Sequence, residues 1–494
     1  MMEAKMKSNF MDGQWVAGQG KTFSSENPAT GENIWQGNAS NLEDINLCMQ
    51  AAKNAFNDWA SLSLTDRIGY LAKFAEQLKI KKIEIAEVIS KETGKPLWET
   101  ELEVNTMINK LPITIEAYAE RCPEKRENKP DFPGTLATRH HPHGVMVVFG
   151  PFNFPGHLPN GHIIPALLAG NTVVLKPSEF TPLVSEKIFQ CWEAANLPKG
   201  VINLLQGGAE TGSLLVEHPL LDGLLFTGSY KTGQKIAAQF AKTPEKMLAL
   251  EMGGNNPLIV HSIDNIKAAV YHTIQSAFMT SGQRCTCARR LIVTRGPTNE
   301  RFIESLMVAM QKLKIGSYTD LPEPFMGPVI SNQAAERILS AYEDLISHSA
   351  NPLVPLQRLK KDLPFLTPGL IDVTPIRIRK DEEIFGPLLQ LIWVDDFELA
   401  LSEANKTQYG LAAGLLSDSE ENYLRFQRKV RAGIINWNRP LTGSSSRAPF
   451  GGIGHSGNHR PSGYYAVDYC GYPVASLEEA TLKLPKSLSP GMEL

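Results

Sequence analysis

Two cysteines, Cys285 and Cys287, lie one residue apart in the stretch SGQRCTCARR, which runs from Ser281 to Arg290. Such a pair could supply metal ligands, half of a disulfide, a nucleophile or only small apolar side chains. Positive charge from the arginines, with backbone amides of a helix N-terminus, would lower the pKa of the Cys285 thiol. Cys285 is therefore a candidate nucleophile, with an inert thiol as the alternative. Cys287 would point elsewhere and is assigned to packing.

The number of cysteines argues against two of these possibilities. Six cysteines are scattered over 494 residues, which is typical of a reducing compartment and not of a disulfide framework. The Cys-x-Cys spacing is also too short for an ordinary structural bridge. A zinc site would need further cysteine or histidine ligands at suitable spacing, and the sequence offers no second pair. We therefore expect neither a disulfide nor a metal site.

Two more segments contain side chains suited to acyl chemistry. In EMGGNNP, Glu251 ends an apolar run beside two glycines; burial there would raise its pKa and make it a possible general base. In GPFNFP, Asn153 is the one polar side chain of an apolar, proline-braced turn, and its amide could donate to an oxyanion. A hydrogen-bonded strand-end carboxylate and a turn-forming asparagine are the respective alternatives.

Two strand-end segments suggest a nucleotide. The turn GSYKTG, Gly228 to Gly233, follows an apolar run and opens a helical one, so its backbone amides could bind phosphate. Gln234 stands where a P-loop would need lysine, and a structural turn is the alternative. In KPSE, Glu179 could accept hydrogen bonds from an adenine-ribose diol and would repel a 2′-phosphate, which favours NAD over NADP. A solvated loop carboxylate is the alternative there.

The elements that must position these residues can be read from the apolar pattern. From residue 144 onward, short continuous apolar runs alternate with helical segments, which is typical of parallel α/β sheets. Residues 45–120 instead carry apolar residues at helical spacing. The runs form a first set, GVMVVFG, NTVVLK, GVINLLQ, GLLFTG and KMLALEMGG, and a second set after residue 255, NPLIV, RRLIVT, GLIDVTP, LLQLIWV, AAGLLS and AGIINWN. We therefore predict two α/β domains.

Composition excludes several classes of protein. The chain is 42% apolar and 20% charged, which argues against disorder. Its formal net charge of −3 gives little support for a nucleic-acid or membrane-surface partner. The first fifteen residues contain no continuous apolar segment, and no run is long enough to span a bilayer. We expect a cytoplasmic protein.

Five motifs, taken in order, carry a resemblance to a known family. FTGSYKTG, EMGGNNP, FMTSGQRC, EIFGP and PFGG resemble the NAD(P)-dependent aldehyde dehydrogenase superfamily over nearly the whole chain. The resemblance implies an α/β fold with a Rossmann-like NAD domain (1–121 and 144–252, rejoined by 441–463) and an α/β catalytic domain (253–440). It also implies a small β oligomerisation element with a C-terminal tail (122–143 and 464–494), and a homodimer or dimer of dimers.

The resemblance implies a role for each motif residue. Cys285 would attack the aldehyde, Asn153 and the Cys285 amide would hold the oxyanion, and Glu251 would activate the water that hydrolyses the thioester. A base at Glu251 points to hydrolysis and not to transfer onto coenzyme A. NAD would be the cofactor, and the residues expected to bind it are Lys176, Glu179, Gly228, Ser229, Tyr230, Lys231, Thr232, Gly233, Glu383 and Phe385.

Rarer segments resemble one branch of this family, which oxidises N-succinylglutamate 5-semialdehyde in arginine degradation to glutamate and succinate. They are FNFPGHLPNGH, GQRCTCARR, NWNRPLTG and GNHRPSGYYAVDYC. Two substrate carboxylates would call for cations, for which a surface salt bridge is the alternative in each case. Arg439 and Arg460 are the preferred candidates, and Arg284, Arg447 and His157 are the others. The rival functions are dehydrogenation of succinate or glutamate semialdehyde, a non-catalytic binding role on the same fold, and thiol hydrolysis.

Overall fold

The apolar runs of the sequence form the strands of two large sheets. The computed structural model describes residues 7–128, 134–485 and 487–494. In the described residues the α-helices, in chain order, are α1 (Leu42–Ser61), α2 (Leu64–Ile80), α3 (Lys82–Thr93), α4 (Leu97–Arg121), α5 (His157–Ala169), α6 (Pro182–Ala195), α7 (Ala209–Glu217), α8 (Tyr230–Phe240), α9 (Ile266–Phe278), α10 (Pro297–Gln311), α11 (Asn332–Ser347), α12 (Phe397–Ala404) and α13 (Glu420–Lys429). Short 3-10 helices occupy Met279–Gly282, Gly454–Ser456 and Tyr464–Tyr469.

The strands of the described residues follow the same chain order. They are β1 (Asn9–Met11), β2 (Gln14–Val16), β3 (Thr22–Glu26), β4 (Asn33–Asn38), β5 (Lys125–Asn128), β6 (Thr135–Pro142), β7 (Val145–Phe149), β8 (Thr172–Lys176), β9 (Ile202–Leu204), β10 (Gly223–Gly228), β11 (Met247–Met252), β12 (Asn256–Val260), β13 (Ala288–Thr294), β14 (Asn351–Val354), β15 (Arg358–Lys360), β16 (Leu363–Leu366), β17 (Gly369–Asp372), β18 (Leu388–Val394), β19 (Ala412–Leu416), β20 (Ile434–Trp437), β21 (Pro449–Phe450), β22 (Ser462–Gly463) and β23 (Gly471–Glu478).

The first large sheet has the strand order β11-β10-β7-β8-β9-β1-β2. Its five neighbouring strands β7 to β11 are parallel. The chain runs outward from β7 through β8 to β9, then crosses to β10 and β11 on the other side of β7. The strand order therefore reverses between β7 and β10, and ligands of such sheets bind beyond the carboxyl ends of the strands at this reversal.

The second large sheet has the order β14-β17-β18-β13-β12-β19-β20 and is parallel except for β14. Each apolar run predicted to be a strand is one, in this sheet or in the first. Strands β7, β8, β12, β13 and β19 are buried along their whole length. This burial on both faces explains why their sequences lack the alternation of a half-exposed strand. The α/β fold prediction is confirmed.

A small third sheet joins the arm, which is residues 122–143 of the predicted oligomerisation element, to the C-terminal region. Strand β6 pairs antiparallel with β5 and with β23, whose register runs from Gly471 opposite Pro142 to Glu478 opposite Thr135. Residues 129–133 of the arm lie outside the described residues. The predicted division into domains, and an oligomerising role for this sheet, stay predictions. None of the helices in the described part of the chain is both long and apolar enough to cross a bilayer.

Helix α4 carries charged residues into the interior. The sequence pattern predicts helices over most of residues 45–120, and the structure has four there, with a break at Lys81. Glu99, Glu103 and Lys110 of α4 are all buried. Charged side chains are rarely buried without partners, so these residues direct attention to what α4 packs against.

Asn171 joins three segments of the chain, and its removal should destabilise the protein. Its Oδ1 accepts from the amides of His143 (2.8 Å) and Gly144 (3.1 Å), and its Nδ2 donates to the carbonyls of Ala166 (3.0 Å) and Cys470 (2.6 Å). Asn171→Ala would leave these buried groups unpaired, so we expect the free energy of unfolding in urea to fall by about 3 kcal/mol.

The exposed Asn54, which accepts only from Gln50, provides the matched control. Asn54→Ala should change the free energy of unfolding by less than about 0.5 kcal/mol. Equal losses in the two variants would contradict the assigned role of Asn171.

Candidate active site

The Cys285 loop, residues 280–287, connects a 3-10 helix to β13 through a strained backbone. Thr280, Ser281 and Gly282 have consecutive positive φ values of 55°, 54° and 72°. Threonine and serine rarely adopt this conformation. Both carboxylate oxygens of Glu99 on α4 accept from Thr280, at 2.9 Å from its amide and 2.7 Å from its hydroxyl, and Ser281 Oγ donates to Gly327 O at 2.7 Å. These bonds hold the loop in its unusual shape.

The fully buried Arg289 holds the same loop from the side of the sheet. Its guanidinium donates to the carbonyls of Gly282 (2.6 Å), Arg284 (2.9 Å) and Gly386 (3.4 Å). A Cβ on Gly282 would overlap the carbonyl oxygen of Gly386, so only glycine permits this close approach. The Cys285 loop is thereby joined to the segment that contains Glu383.

Asn256 positions the two cysteines themselves. Its Nδ2 donates to the carbonyl oxygens of Cys285 (2.7 Å) and Cys287 (2.8 Å), and its Oδ1 accepts from the amide of Ala412 at 3.0 Å. Cys287 is completely buried, as expected of a packing residue, whereas Cys285 is partly exposed. Asn256, Glu99 and Arg289 support the loop, and none of them was predicted from the sequence to do so.

The surroundings of the Cys285 thiol correct one expectation. Burial raises the pKa of Cys285, and the carboxylates of Glu383 and Glu251 raise it further, against a smaller lowering by Arg289. No helix begins at Cys285, and Arg284 turns toward Thr280 and lies over the ring of Phe154. The predicted lowering of the thiol pKa is therefore wrong for this structure.

Asn153 lies beside the loop with a free donor. Its Nδ2 donates to Gln283 O at 2.9 Å, and the backbone carbonyl of Asn153 accepts from Lys95 Nζ at 2.9 Å. Lys95 in turn pairs with Glu103 of α4. A primary amide has two N–H groups, so one remains for an oxygen atom placed between Asn153 and Cys285. This geometry suits an oxyanion.

Glu251, near the end of β11, has the properties expected of a general base. Burial raises its pKa to about 7, against hydrogen bonding to Ser462 and the charge of Lys110. Its Oε1 accepts from the Ser462 amide at 3.1 Å, whereas Oε2 is buried and has no partner among the described residues. The prediction of a raised pKa is confirmed. The free oxygen could accept a proton from water.

These side chains meet at one cavity of about 840 Å³ between the two large sheets. It lies beyond the carboxyl ends of β7, β8, β10 and β11, where the strand order of the first sheet reverses. Of the predicted site residues, the cavity is lined by Cys285, Glu251, Asn153, Lys176, Glu179, Gly228, Ser229, Thr232, Glu383 and Phe385. The cavity thus joins the candidate reacting groups to the candidate nucleotide-binding groups.

Three residues of the GSYKTG turn do not line this cavity. The ring of Tyr230 stacks on His455 at 3.8 Å, and Lys231 is exposed. Gly233 packs so closely on Met252 that a Cβ would overlap its sulfur atom. Ser229 caps α8 by accepting from the Thr232 amide at 3.3 Å. The first turn of α8 therefore faces the cavity through Ser229 and Thr232.

Lys176 and Glu179 lie together at the end of β8. Lys176 Nζ donates to the carbonyls of Pro177 (2.7 Å) and Gly207 (2.8 Å), and burial lowers its pKa to about 8. Glu179 is exposed at the cavity wall. An accessible carboxylate at this point can accept hydrogen bonds from a diol.

Comparison with known proteins agrees with this geometry. The sequence profile of the aldehyde dehydrogenase family matches residues 15–472. The chain belongs to the aldehyde dehydrogenase family. Among curated proteins it is similar to N-succinylglutamate 5-semialdehyde dehydrogenase from Chromobacterium violaceum, with 52% identity over 99% of this chain and the full relative. The enzyme of that name from Ectopseudomonas mendocina is 53% identical, with the same coverage of both chains.

Solved structures of this family share the fold. Betaine aldehyde dehydrogenase from Staphylococcus aureus in complex with NAD+ has a TM-score of 0.90 at 27% identity, covering 98% of this chain and 97% of that one. A variant of 1-pyrroline-5-carboxylate dehydrogenase from Thermus thermophilus has a TM-score of 0.89 at 30% identity, covering 96% and 93%. The aldehyde dehydrogenase fold is thus confirmed.

The cations predicted to bind substrate lie at different places in this aldehyde dehydrogenase. Arg439 and Arg460 are exposed and do not line the cavity, and Arg447 pairs with Glu116 at the surface. Arg284 is next to Cys285, and its Nε donates to Thr280 Oγ1 at 2.8 Å. Burial lowers the pKa of His157 to about 4, so this imidazole is neutral at neutral pH. The expectation that His157 supplies a positive charge is therefore wrong.

Alkylation of Cys285 should report the charge of its surroundings. Only the thiolate reacts with iodoacetamide, so the rate should be low at neutral pH and rise in alkaline solution. Glu383→Gln removes a negative charge that raises the thiol pKa, so we expect alkylation about fivefold faster at the same pH. The rate is measured by peptide mass mapping, and the other five cysteines are buried.

Glu382, the exposed neighbour of Glu383 at the cavity wall, supplies the control. Glu382→Gln should leave the alkylation rate within about twofold because solvent screens its charge. Indistinguishable rates for the two variants would show that Glu383 does not set the thiol pKa.

Proposed function

We propose that the protein oxidises an aldehyde to a carboxylic acid, with NAD+ as the acceptor and Cys285 as the nucleophile. The observation that carries this proposal is the convergence of Cys285, Asn153 and Glu251 on one cavity at the strand-order reversal of the first sheet. A nucleophile, an amide donor and a carboxylate are the groups that acyl chemistry through a thioester requires. A non-catalytic role would not require this set.

In the first half of the proposed reaction the Cys285 sulfur attacks the aldehyde carbon. The thiol gives up its proton to solvent, a C–S bond forms, and the carbonyl oxygen becomes the oxyanion of a thiohemiacetal. The backbone N–H of Cys285 and the free N–H of Asn153 hold this oxygen. Because Asn153 is itself held by Gln283 and Lys95, its amide is oriented before substrate arrives. Loss of hydride from the thiohemiacetal carbon leaves a thioester on Cys285.

The cavity fits a dinucleotide through its donors and acceptors. NAD+ would supply the hydride acceptor when bound. The first turn of α8, with Ser229, would hold the pyrophosphate, and Lys176 with Glu179 would bind the adenine ribose. Glu383 and Phe385 lie at the cavity wall on the side of the Cys285 loop, where the nicotinamide ribose would bind. The exposed carboxylate of Glu179 favours NAD+ over NADP+.

In the second half Glu251 acts on water. Its partner-free Oε2 takes a proton from the water that attacks the thioester carbonyl. The C–S bond then breaks, the acid leaves, and the Cys285 thiolate takes up the proton that Glu251 had accepted, which restores both the thiol and the carboxylate. This step requires Glu251 in its ionised form, which its pKa of about 7 permits near neutral pH.

We further propose N-succinyl-L-glutamate 5-semialdehyde as the substrate, in arginine degradation. The support is an identity of 52–53% over 99% of the chain to relatives of that name. None of the five candidate cations lines the cavity that contains Cys285. Succinate or glutamate semialdehyde is the alternative substrate.

We also propose a cytoplasmic homodimer or dimer of dimers, formed through the β5-β6-β23 sheet, whose strand β5 is exposed along its whole length.

A substrate panel tests the proposed function. With NAD+, kcat/KM for N-succinylglutamate semialdehyde should exceed that for free glutamate semialdehyde by about 100-fold, because the site would lose partners for the succinyl group. The absorbance of reduced cofactor measures both rates. Cys285→Ser should abolish the reaction. Cys287→Ala changes a buried packing residue two positions along the chain, and this variant should remain active. Equal rates on the two aldehydes would reject the proposed substrate.

Removal of the Glu251 carboxylate should separate the two halves of the reaction. We expect Glu251→Gln to release one equivalent of reduced cofactor per active site and then turn over about 1,000-fold more slowly. In the unaltered enzyme kcat should rise with pH through the pKa of Glu251, about 7, because only the carboxylate accepts the proton. Stopped-flow absorbance gives the burst and the steady rate.

Glu217, exposed at the same cavity, offers the control substitution. Glu217→Gln should preserve both the burst and the steady rate. Loss of the burst in Glu251→Gln would contradict a role confined to hydrolysis.

A further inference from the structure

Lys110 is a buried cation without an acidic partner close by. Its side chain projects from α4 and is 2% exposed, and its Nζ donates to Gly463 O at 2.8 Å. Among the described residues no carboxylate lies within ion-pair distance of this ammonium. Burying an ammonium is costly unless other interactions compensate. The position of Lys110 therefore calls for an explanation beyond packing.

The backbone that Lys110 holds also holds Glu251. Ser462 and Gly463 are consecutive in β22. The Ser462 amide donates to Glu251 Oε1 at 3.1 Å, and the Gly463 carbonyl accepts from Lys110. Gly463 has a φ of 68°, and a Cβ there would lie 2.5 Å from Ala448 O, so this backbone shape requires glycine at position 463. Lys110 and Glu251 are thus linked through the backbone of two consecutive residues, Ser462 and Gly463.

The two charges also act on each other directly. Lys110 lowers the pKa of Glu251, and Glu251 raises that of Lys110, which burial lowers to about 8. The other titratable groups that interact with either residue belong to α5, the Cys285 loop and the C-terminal segment, and they are His157, His162, Cys285, Tyr469 and Cys470. Burial keeps both histidines neutral at neutral pH. Lys110 is therefore the cation of this group.

We propose that Lys110 is a positioning residue for the general base: it holds Ser462 against Glu251 through the Gly463 carbonyl, and its charge keeps Glu251 ionised during thioester hydrolysis. The inference rests on the proposed function, in which Glu251 removes a proton from water. In that step the water oxygen bonds to the acyl carbon, the C–S bond breaks, and the water proton moves to Glu251. Lys110 touches none of the reacting atoms.

Two substitutions separate the charge of Lys110 from its hydrogen bond. Lys110→Met removes both, whereas Lys110→Gln retains an N–H donor for Gly463. In both variants the lost charge should move the acid limb of the kcat–pH profile upward by about one pH unit and lower kcat at neutral pH about fivefold. The amplitude of the reduced-cofactor burst should not change, because acylation precedes the step that Glu251 catalyses.

Thr114, one turn further along α4, provides the control. It is buried and donates to the carbonyl of Lys110. Thr114→Val alters the packing of the same helix but no charge, so it should leave the pH profile in place. Thermal unfolding identifies the variants that fold as the unaltered enzyme does. Quenched intact-protein mass spectrometry should show more acyl-enzyme during turnover in the Lys110 variants than in Thr114→Val.

The possible outcomes distinguish this inference from the proposed function. Absence of aldehyde-dependent NADH formation in the unaltered enzyme would reject the proposed function itself. An active enzyme whose acid limb stays in place in every Lys110 variant that folds would overturn the role of Lys110 alone. A shifted limb in Lys110→Met that Lys110→Gln reverses fully would assign the effect to the hydrogen bond and overturn the role of the charge.

Discussion

The contact between Arg289 and the carbonyl oxygens of the Cys285 loop is the interaction on which the site depends. Thr280, Ser281 and Gly282 have consecutive positive φ values, and a loop of that shape cannot pair its backbone carbonyls by regular secondary structure. A planar guanidinium supplies several donors in one fork. Arg289 reaches Gly282, Arg284 and Gly386 with it. Arg289 belongs to β13, the middle strand of the second sheet. Its hydrogen bonds therefore fix the loop to the centre of that sheet.

Helix α4 holds the same site from the opposite direction. Its buried Glu99 accepts from Thr280, Glu103 pairs with Lys95 behind Asn153, and Lys110 reaches the segment that holds Glu251. Each of the three candidate reacting groups therefore has one charged residue of α4 behind it. Burying charged side chains costs desolvation free energy, which buried ion pairs often fail to recover in stability, so their use here is explained by the fixed positions that they give to neighbouring groups. We interpret α4 as the support that sets the distances between nucleophile, amide donor and base.

The sequence predicts the strands of this protein better than it predicts the supports of the site. Runs such as VMVVF and LLQLIWV are buried on both faces, so continuous apolarity identifies them directly. Short, partly exposed strands such as β2 and β15 lack that signal. Glu99 and Thr280 are 181 positions apart, and nothing local marks them as partners. The prediction of a lowered pKa for the Cys285 thiol was wrong for a related reason. The neighbouring arginines lie close in sequence, but Arg284 turns away from the thiol, and two carboxylates that are distant in sequence come close to it.

The raised pKa values of Cys285 and Glu251 have a common consequence. Both groups become negative on losing a proton, so ionising one disfavours ionising the other across the same cavity. Attack on the aldehyde needs the thiolate, whereas hydrolysis of the thioester needs the carboxylate after the thiol has become an acyl group without charge. Acylation therefore removes the competing negative charge at the moment when Glu251 must ionise. A base with a pKa of about 7 can serve both stages at neutral pH, since it can be protonated while sulfur attacks and ionised while water attacks. A carboxylate with an ordinary pKa would stay charged throughout and oppose formation of the thiolate.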